Sequence, residues 1–109
     1  MKYSGELNCT IDCNLEMNLT DLLKRIVEFN ERECLKANDF RIRYEHDNPY
    51  LGVEYILDYD NLILIIKFKS NTFSTLTIEK ISLTNYGENV DKEYLMGLVD
   101  TINKVFEVV

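Results

Sequence analysis

The sequence predicts a single α+β domain with an antiparallel sheet of about five strands and two amphipathic helices, in the order β-α-β-β-β-β-α. Three patterns carry that expectation. Residues 3–17 alternate apolar and polar side chains without a break, residues 40–83 hold four more alternating stretches separated by turn residues, and segments 19–36 and 90–109 space their apolar residues at the helical period. Strands grouped between two helices, rather than alternating with them, place the helices on a face of an antiparallel sheet. At 109 residues, with no Pro/Gly/Ser-rich linker, the chain fits one domain spanning residues 1–109.

The first strand is read from its odd positions, Tyr3, Gly5, Leu7, Cys9, Ile11, Cys13, Leu15 and Met17, against wholly polar even positions from Lys2 to Glu16. Gly5 marks a bulge or bend near its start. Asn18 offers an N-cap, and Leu19, Leu22, Leu23, Ile26, Val27 and Cys34 continue at helical spacing to about Lys36. Asp21 with Arg25, and Glu28 with Arg32, set acid four residues before base, the orientation that supports a helix. Phe40, Ile42 and Tyr44 define strand two, Val53 to Tyr59 strand three, and Leu62 to Phe68 strand four. Asp47-Asn48-Pro49-Tyr50 is turn chemistry, and Asp60-Asn61 suits a two-residue hairpin because both residue types tolerate positive φ. In strand five Leu76 and Ile78 keep one parity while Ile81 and Leu83 take the other, which requires a bulge near Glu79-Lys80. Residues 85–89 read as loop, and the second helix follows from Val90 with Asp91 and Glu93 at its start.

Composition excludes several function classes. Nineteen acidic against twelve basic residues give a formal charge of −7, which disfavours direct binding to nucleic acid or an anionic membrane. The longest apolar run, Leu62 to Ile66, is far shorter than the roughly 20 residues of a membrane helix, and the N-terminus turns polar at once, so a cytoplasmic location is expected. Cys9 and Cys13 lie four strand residues apart, roughly 13 Å, beyond the reach of a disulfide. With Cys34 they are read as small buried hydrophobes, and no metal or other cofactor is expected. His46 is the one histidine and has no nucleophile motif beside it, and Gly5, Gly52, Gly87 and Gly97 are too scattered to cradle a phosphate. No catalytic residue is assigned. Carboxylate pairs such as Glu45 with Asp47, or Asp58 with Asp60, are read as charge decoration at strand ends.

From Tyr44 to Ile66 there is no lysine or arginine, while Glu45, Asp47, Glu54, Asp58 and Asp60 interleave with Tyr44, Tyr50, Tyr55 and Tyr59. The period of two separates them. A tight turn at Asp60-Asn61 sets Glu54 opposite Lys67, Ile56 opposite Ile65 and Asp58 opposite Ile63, all on the face away from the tyrosines, with Arg41 and Arg43 within reach of Glu54 or Asp58. Tyr44, Tyr55 and Tyr59 share parity with Phe40, Ile42, Leu57, Leu64 and Phe68 and are assigned to the helix-covered core. What stays outside is an isoleucine patch with a charged rim, the composition of a protein interface. The candidate partner-binding residues are therefore Asp47, Tyr50, Glu54, Ile56, Asp58, Asp60, Ile63 and Ile65. One of the helices, a second copy in a homodimer, or another protein could cover the patch.

Small size, acidity and the lack of a reaction motif favour a non-catalytic inhibitor that occupies a basic surface on another protein, such as a nucleic-acid-binding groove. In size, charge and fold style the chain resembles small acidic toxin-immunity proteins and phage-encoded inhibitors of bacterial defence, including anti-CRISPR proteins. The alternative is a dimeric adaptor or secretion-type chaperone holding a client segment. Acid-base catalysis by carboxylates and tyrosines is a third reading, with no positive feature behind it.

Overall fold

The computed structural model describes residues 2–45 and 51–108. The elements follow the expected order: β1 (Lys2–Asn18), α1 (Leu19–Arg32), β2 (Asp39–Arg43), β3 (Glu54–Tyr59), β4 (Leu62–Ser70), β5 (Thr75–Asp91) and α2 (Lys92–Phe106). All five strands form one antiparallel sheet in the spatial order β1-β5-β4-β3-β2. Helix α1 carries the chain from one edge of the sheet to the other, and β2 to β5 then meander back until β5 pairs with β1.

Both helices lie on the same face of the sheet. They touch each other through Arg25, whose Nη1 donates to the Val105 carbonyl at 3.0 Å, and through the Thr101 hydroxyl, which donates to Glu33. Leu22, Ile26 and Phe29 of α1 and Leu95, Leu98, Ile102 and Phe106 of α2 pack with Leu57, Leu64, Ile66, Phe68, Ile78, Ile81 and Leu83 in one core. The strands show this one-sidedness directly: Tyr55, Leu57 and Tyr59 are buried while Glu54, Ile56 and Asp58 between them are only half-buried. Each fully buried Leu or Ile side chain contributes about 1.5–3 kcal/mol relative to exposure. No helix among the described residues is long and apolar enough to cross a membrane.

The two long strands must bend. Straight strands of 17 residues would run about 55 Å, whereas the longest dimension of the molecule is 44 Å. The bend sits where the parity switch required it. On β5 the step from Ile81 to Ile78 is matched on β4 by Ile66 to Phe68 and on β1 by Ile11 to Leu15, so each strand toward the β1 edge spends one more residue on the same turn. Ile78 and Ile81 both face the core as a result, and Glu79 and Lys80 are both exposed. A second irregularity falls between Tyr3 and Gly5, with Gly5 at φ 142°.

Four expectations need correction. Residues 85–89 are not a loop: β5 runs on to Asp91 because β1 supplies partners, with Leu7 opposite Asn85, Glu6 opposite Tyr86 and Gly5 opposite Gly87. Buried Asn85 earns its place there by donating to the Asn61 carbonyl at 2.8 Å and accepting from the Asp91 amide at 3.0 Å. Helix α1 ends at Arg32, not near Lys36. Asn18 caps its start, accepting from the Asp21 amide at 2.8 Å, but at its end Cys34 takes φ 53° and the Cys34 and Leu35 amides turn back to the Glu31 and Asn30 carbonyls at 3.2 and 2.8 Å. Cys34 is consequently exposed, while Cys9 and Cys13 are half-buried as strand residues facing the helices. Of the two intrahelical pairs, Glu28–Arg32 forms at 3.3 Å, whereas Arg25 turns to α2, where it also approaches Glu107 at 3.8 Å.

A left-handed residue other than glycine is strained, so Cys34→Gly is expected to raise stability by about 0.5–1 kcal/mol, read as a higher urea midpoint with an unchanged slope. A lower midpoint would refute this account of the α1 terminus.

Candidate functional site

The sheet face opposite the helices is built from rows of side chains that the strand registers bring into line. The β3–β4 register is the expected one, with Glu54 opposite Lys67, Ile56 opposite Ile65 and Asp58 opposite Ile63. It depends on the turn at Asp60-Asn61, where Asn61 takes φ 61°. Extended across the sheet, one row reads Arg41, Ile56, Ile65, Ser82, Thr10, and the next Asp39, Asp58, Ile63, Thr84, Asn8. The isoleucines thus form a compact strip across β3 and β4, each partly exposed. Hydroxyls border it on β5 and β1, where Thr10 and Ser82 are hydrogen-bonded at 3.3 Å and Thr84 donates to Asn8 at 2.6 Å.

Charge frames the strip unevenly. Arg41 bridges Asp58 at 2.8 Å and Asp39 at 3.3 Å; Arg43 bridges Glu54 at 2.5 Å and Glu45 at 3.4 Å. The hydrogen bond that Arg43 donates to Glu54, together with the proximity of Glu54 and Glu45, pushes the guanidinium further toward its charged form. Beyond this network the row of Arg43, Glu54, Lys67, Lys80 and Asp12 sets two lysines side by side. At the opposite end Asp58 stands directly across from Asp39, and Asp60 accepts from Asn38 at 2.8 Å, so carboxylates dominate near the β3–β4 turn. Glu54, Ile56, Asp58, Asp60, Ile63 and Ile65 therefore share one surface, while Asp47 and Tyr50, like His46 and the turn around them, lie outside the described residues.

The helix-side face of β2 departs from expectation. Tyr55 and Tyr59 are buried, but Tyr44, assigned with them to the core, is 56% exposed, and its neighbours Phe40 and Ile42 are 41% and 39% exposed. The helices do not reach over the β2 edge. Phe40 packs edge-on against Tyr55 at 5.2 Å and Tyr55 against Phe68 at 4.8 Å, so an aromatic row runs from the covered core out to an uncovered strand. Facing it is one flank of α1. Asn30 on that flank accepts from the Tyr59 hydroxyl of β3, whereas Arg25 on the other flank meets α2. Leu23 and Val27 fall on the Asn30 side at about 100° per residue, both exposed, and with Thr20 and Lys24 line an apolar depression of about 320 Å³.

Chemical activation is not evident at these positions. Burial, and secondarily Asp12, pushes the Cys13 thiol up, away from the thiolate a nucleophile needs. Among the described residues no three His, Cys, Asp or Glu side chains stand together as metal ligands. Desolvation pushes Tyr59 up to about 12 despite its hydrogen bond to Asn30, which holds it as a neutral core residue. The second depression, lined by Glu45, Val53, Lys67, Phe68, Lys69 and Glu79, mixes acid and base without a convergent pair.

Two outcomes follow from this geometry. At Gly52, φ is 95° and an added Cβ would stand 2.7 Å from Ile42 Cγ2 and 2.8 Å from the Arg43 carbonyl, so Gly52→Ala should lower stability by at least about 1 kcal/mol in urea unfolding. Because the folded-state pKa of Tyr59 is raised from 10.0 to about 12, its contribution is intact below pH 10 and lost as pH rises toward 12. Tyr59→Phe should flatten that alkaline decline in stability; an unchanged profile would show that another group drives it.

No protein-family model, curated protein or solved structure matches this chain.

Proposed function

We propose that the protein is a non-catalytic protein-binding module of the inhibitor kind, whose open sheet face docks onto a basic surface of another protein. The observation that carries this reading is the isoleucine strip of Ile56, Ile63 and Ile65, left uncovered because both helices pack on the other face. Such a strip inside a charged rim supplies an apolar centre and orienting ion pairs. The carboxylate-rich end at Asp39, Asp58 and Asp60, together with a net charge of −7, favours a cationic counterpart such as a nucleic-acid-binding groove. An inhibitor of the toxin-immunity or phage anti-defence type, including an anti-CRISPR-like one, needs no more machinery than this. The dimeric adaptor or secretion-type chaperone is the second reading, favoured by the uncovered apolar side of β2.

The test is capture of a partner from native host extract, followed by kinetics on the purified pair. Ile65→Asp should weaken the complex by about tenfold or more, and the association rate should fall about tenfold as salt rises from about 50 to 500 mM. A salt-independent on-rate would remove the basic surface from the proposal, and an unaltered affinity for Ile65→Asp would remove the open face.

A further inference from the structure

The two edges of the sheet are protected to different degrees. Strand β1 presents an edge interrupted by two register shifts, and its outward even positions from Glu6 to Glu16 carry Glu, Asn, Thr and Asp with no cation to offset the acids. A second β1 laid against it about Ile11 would bring Glu6 against Glu16. Among the described residues, strand β2 has no bulge and pairs with β3 alone, and its Phe40 and Ile42, with Tyr44 just beyond its end, are exposed. Its arginines are drawn inward to Asp58 and Glu54 of β3 and do not guard the edge as free charges.

We propose that β2 is the interface for a second copy of this chain, pairing antiparallel with its own equivalent about a two-fold axis at Arg41 to form one continuous sheet. The register is the one that pairs the whole strand. Centring on Arg41 sets Asp39 against Arg43 of the other copy twice over and Phe40 against Ile42 twice over, and uses the whole span Asp39–Arg43. Centring on Ile42 would instead oppose Asp39 to Glu45 and Arg41 to Arg43, like charge against like. At the axis the two Arg41 side chains meet, each already held by its own Asp58 and Asp39. On the helix side the exposed Phe40 and Ile42 of both copies form one apolar floor. This interface leaves the isoleucine strip on the opposite face open and does not depend on the function proposed for it.

Light scattering across micromolar to millimolar concentrations should show a mass approaching twice the chain's 12.8 kDa. Ile42→Asp should return the monomer mass with unchanged far-UV circular dichroism, since Ile42 is already substantially exposed. In a Cys34→Ser background, Arg41→Cys should form an intermolecular disulfide under mild oxidation. Arg43→Cys should not, because the two copies of position 43 would lie about 13 Å apart along the strands, too far to bridge. A wild-type protein that stays monomeric throughout overturns the proposal. So does a dimer that survives Ile42→Asp, or one that cross-links through position 43 in preference to 41.

Discussion

The antiparallel pairing of β1 with β5 is the contact on which the remaining architecture depends. It joins the first strand to the last, so the sheet order, the placement of both helices and the bend of the long strands are all set by it. Loop-closure entropy opposes a contact between residues as far apart as Lys2 and Asp91, and the stabilisation must come from the apolar face that the two strands build together. That face, Leu7, Cys9, Ile11, Leu15 and Met17 beside Leu76, Ile78, Ile81 and Leu83, is the floor on which α2 packs. The extra residues at the bulges let the outer strand follow a longer arc around the helices, with apolar residues kept inward throughout.

A one-sided sheet of five strands is wider than two helices can cover. The uncovered width falls at β2, where Phe40, Ile42 and Tyr44 emerge from the core, and among the described residues no helix covers the opposite face with its partly exposed isoleucine strip. Both surfaces proposed for binding arise from this mismatch. Their characters differ because the open face carries charged and hydroxyl side chains in cross-strand rows, whereas the β2 edge carries apolar and aromatic ones that remain continuous with the core through Tyr55 and Phe68.

How much was legible in the sequence depended on the range of the physics involved. Local rules worked: the Asp60-Asn61 turn set the β3–β4 register, Asn18 capped the first helix, and the parity switch located the bulge at Glu79-Lys80. The candidate residues on β3 and β4 were brought together because their neighbours lie in one hairpin. The polar border formed by the Ser82, Thr84 and Thr10 hydroxyls and the Asn8 amide was missed, since it is complete only once β1 lies beside β5. The β1 signal for it was present in the unbroken polar even positions, but nothing local named the strand they would join. Cys34 was misplaced because apolar spacing continues past the point where the backbone turns left-handed.

By itself the sequence determined the elements, their order and which side of each strand is apolar, because side-chain alternation and helical spacing are properties of a few consecutive residues. It also determined an acidic chain with no assembled reaction motif. Only the tertiary structure decided which strands are edges and how far the helices extend, and therefore that Tyr55 is core while Tyr44, of the same parity, is surface. Parity chooses a face, but burial depends on what finite helices can cover, and that is settled by packing across the whole sheet.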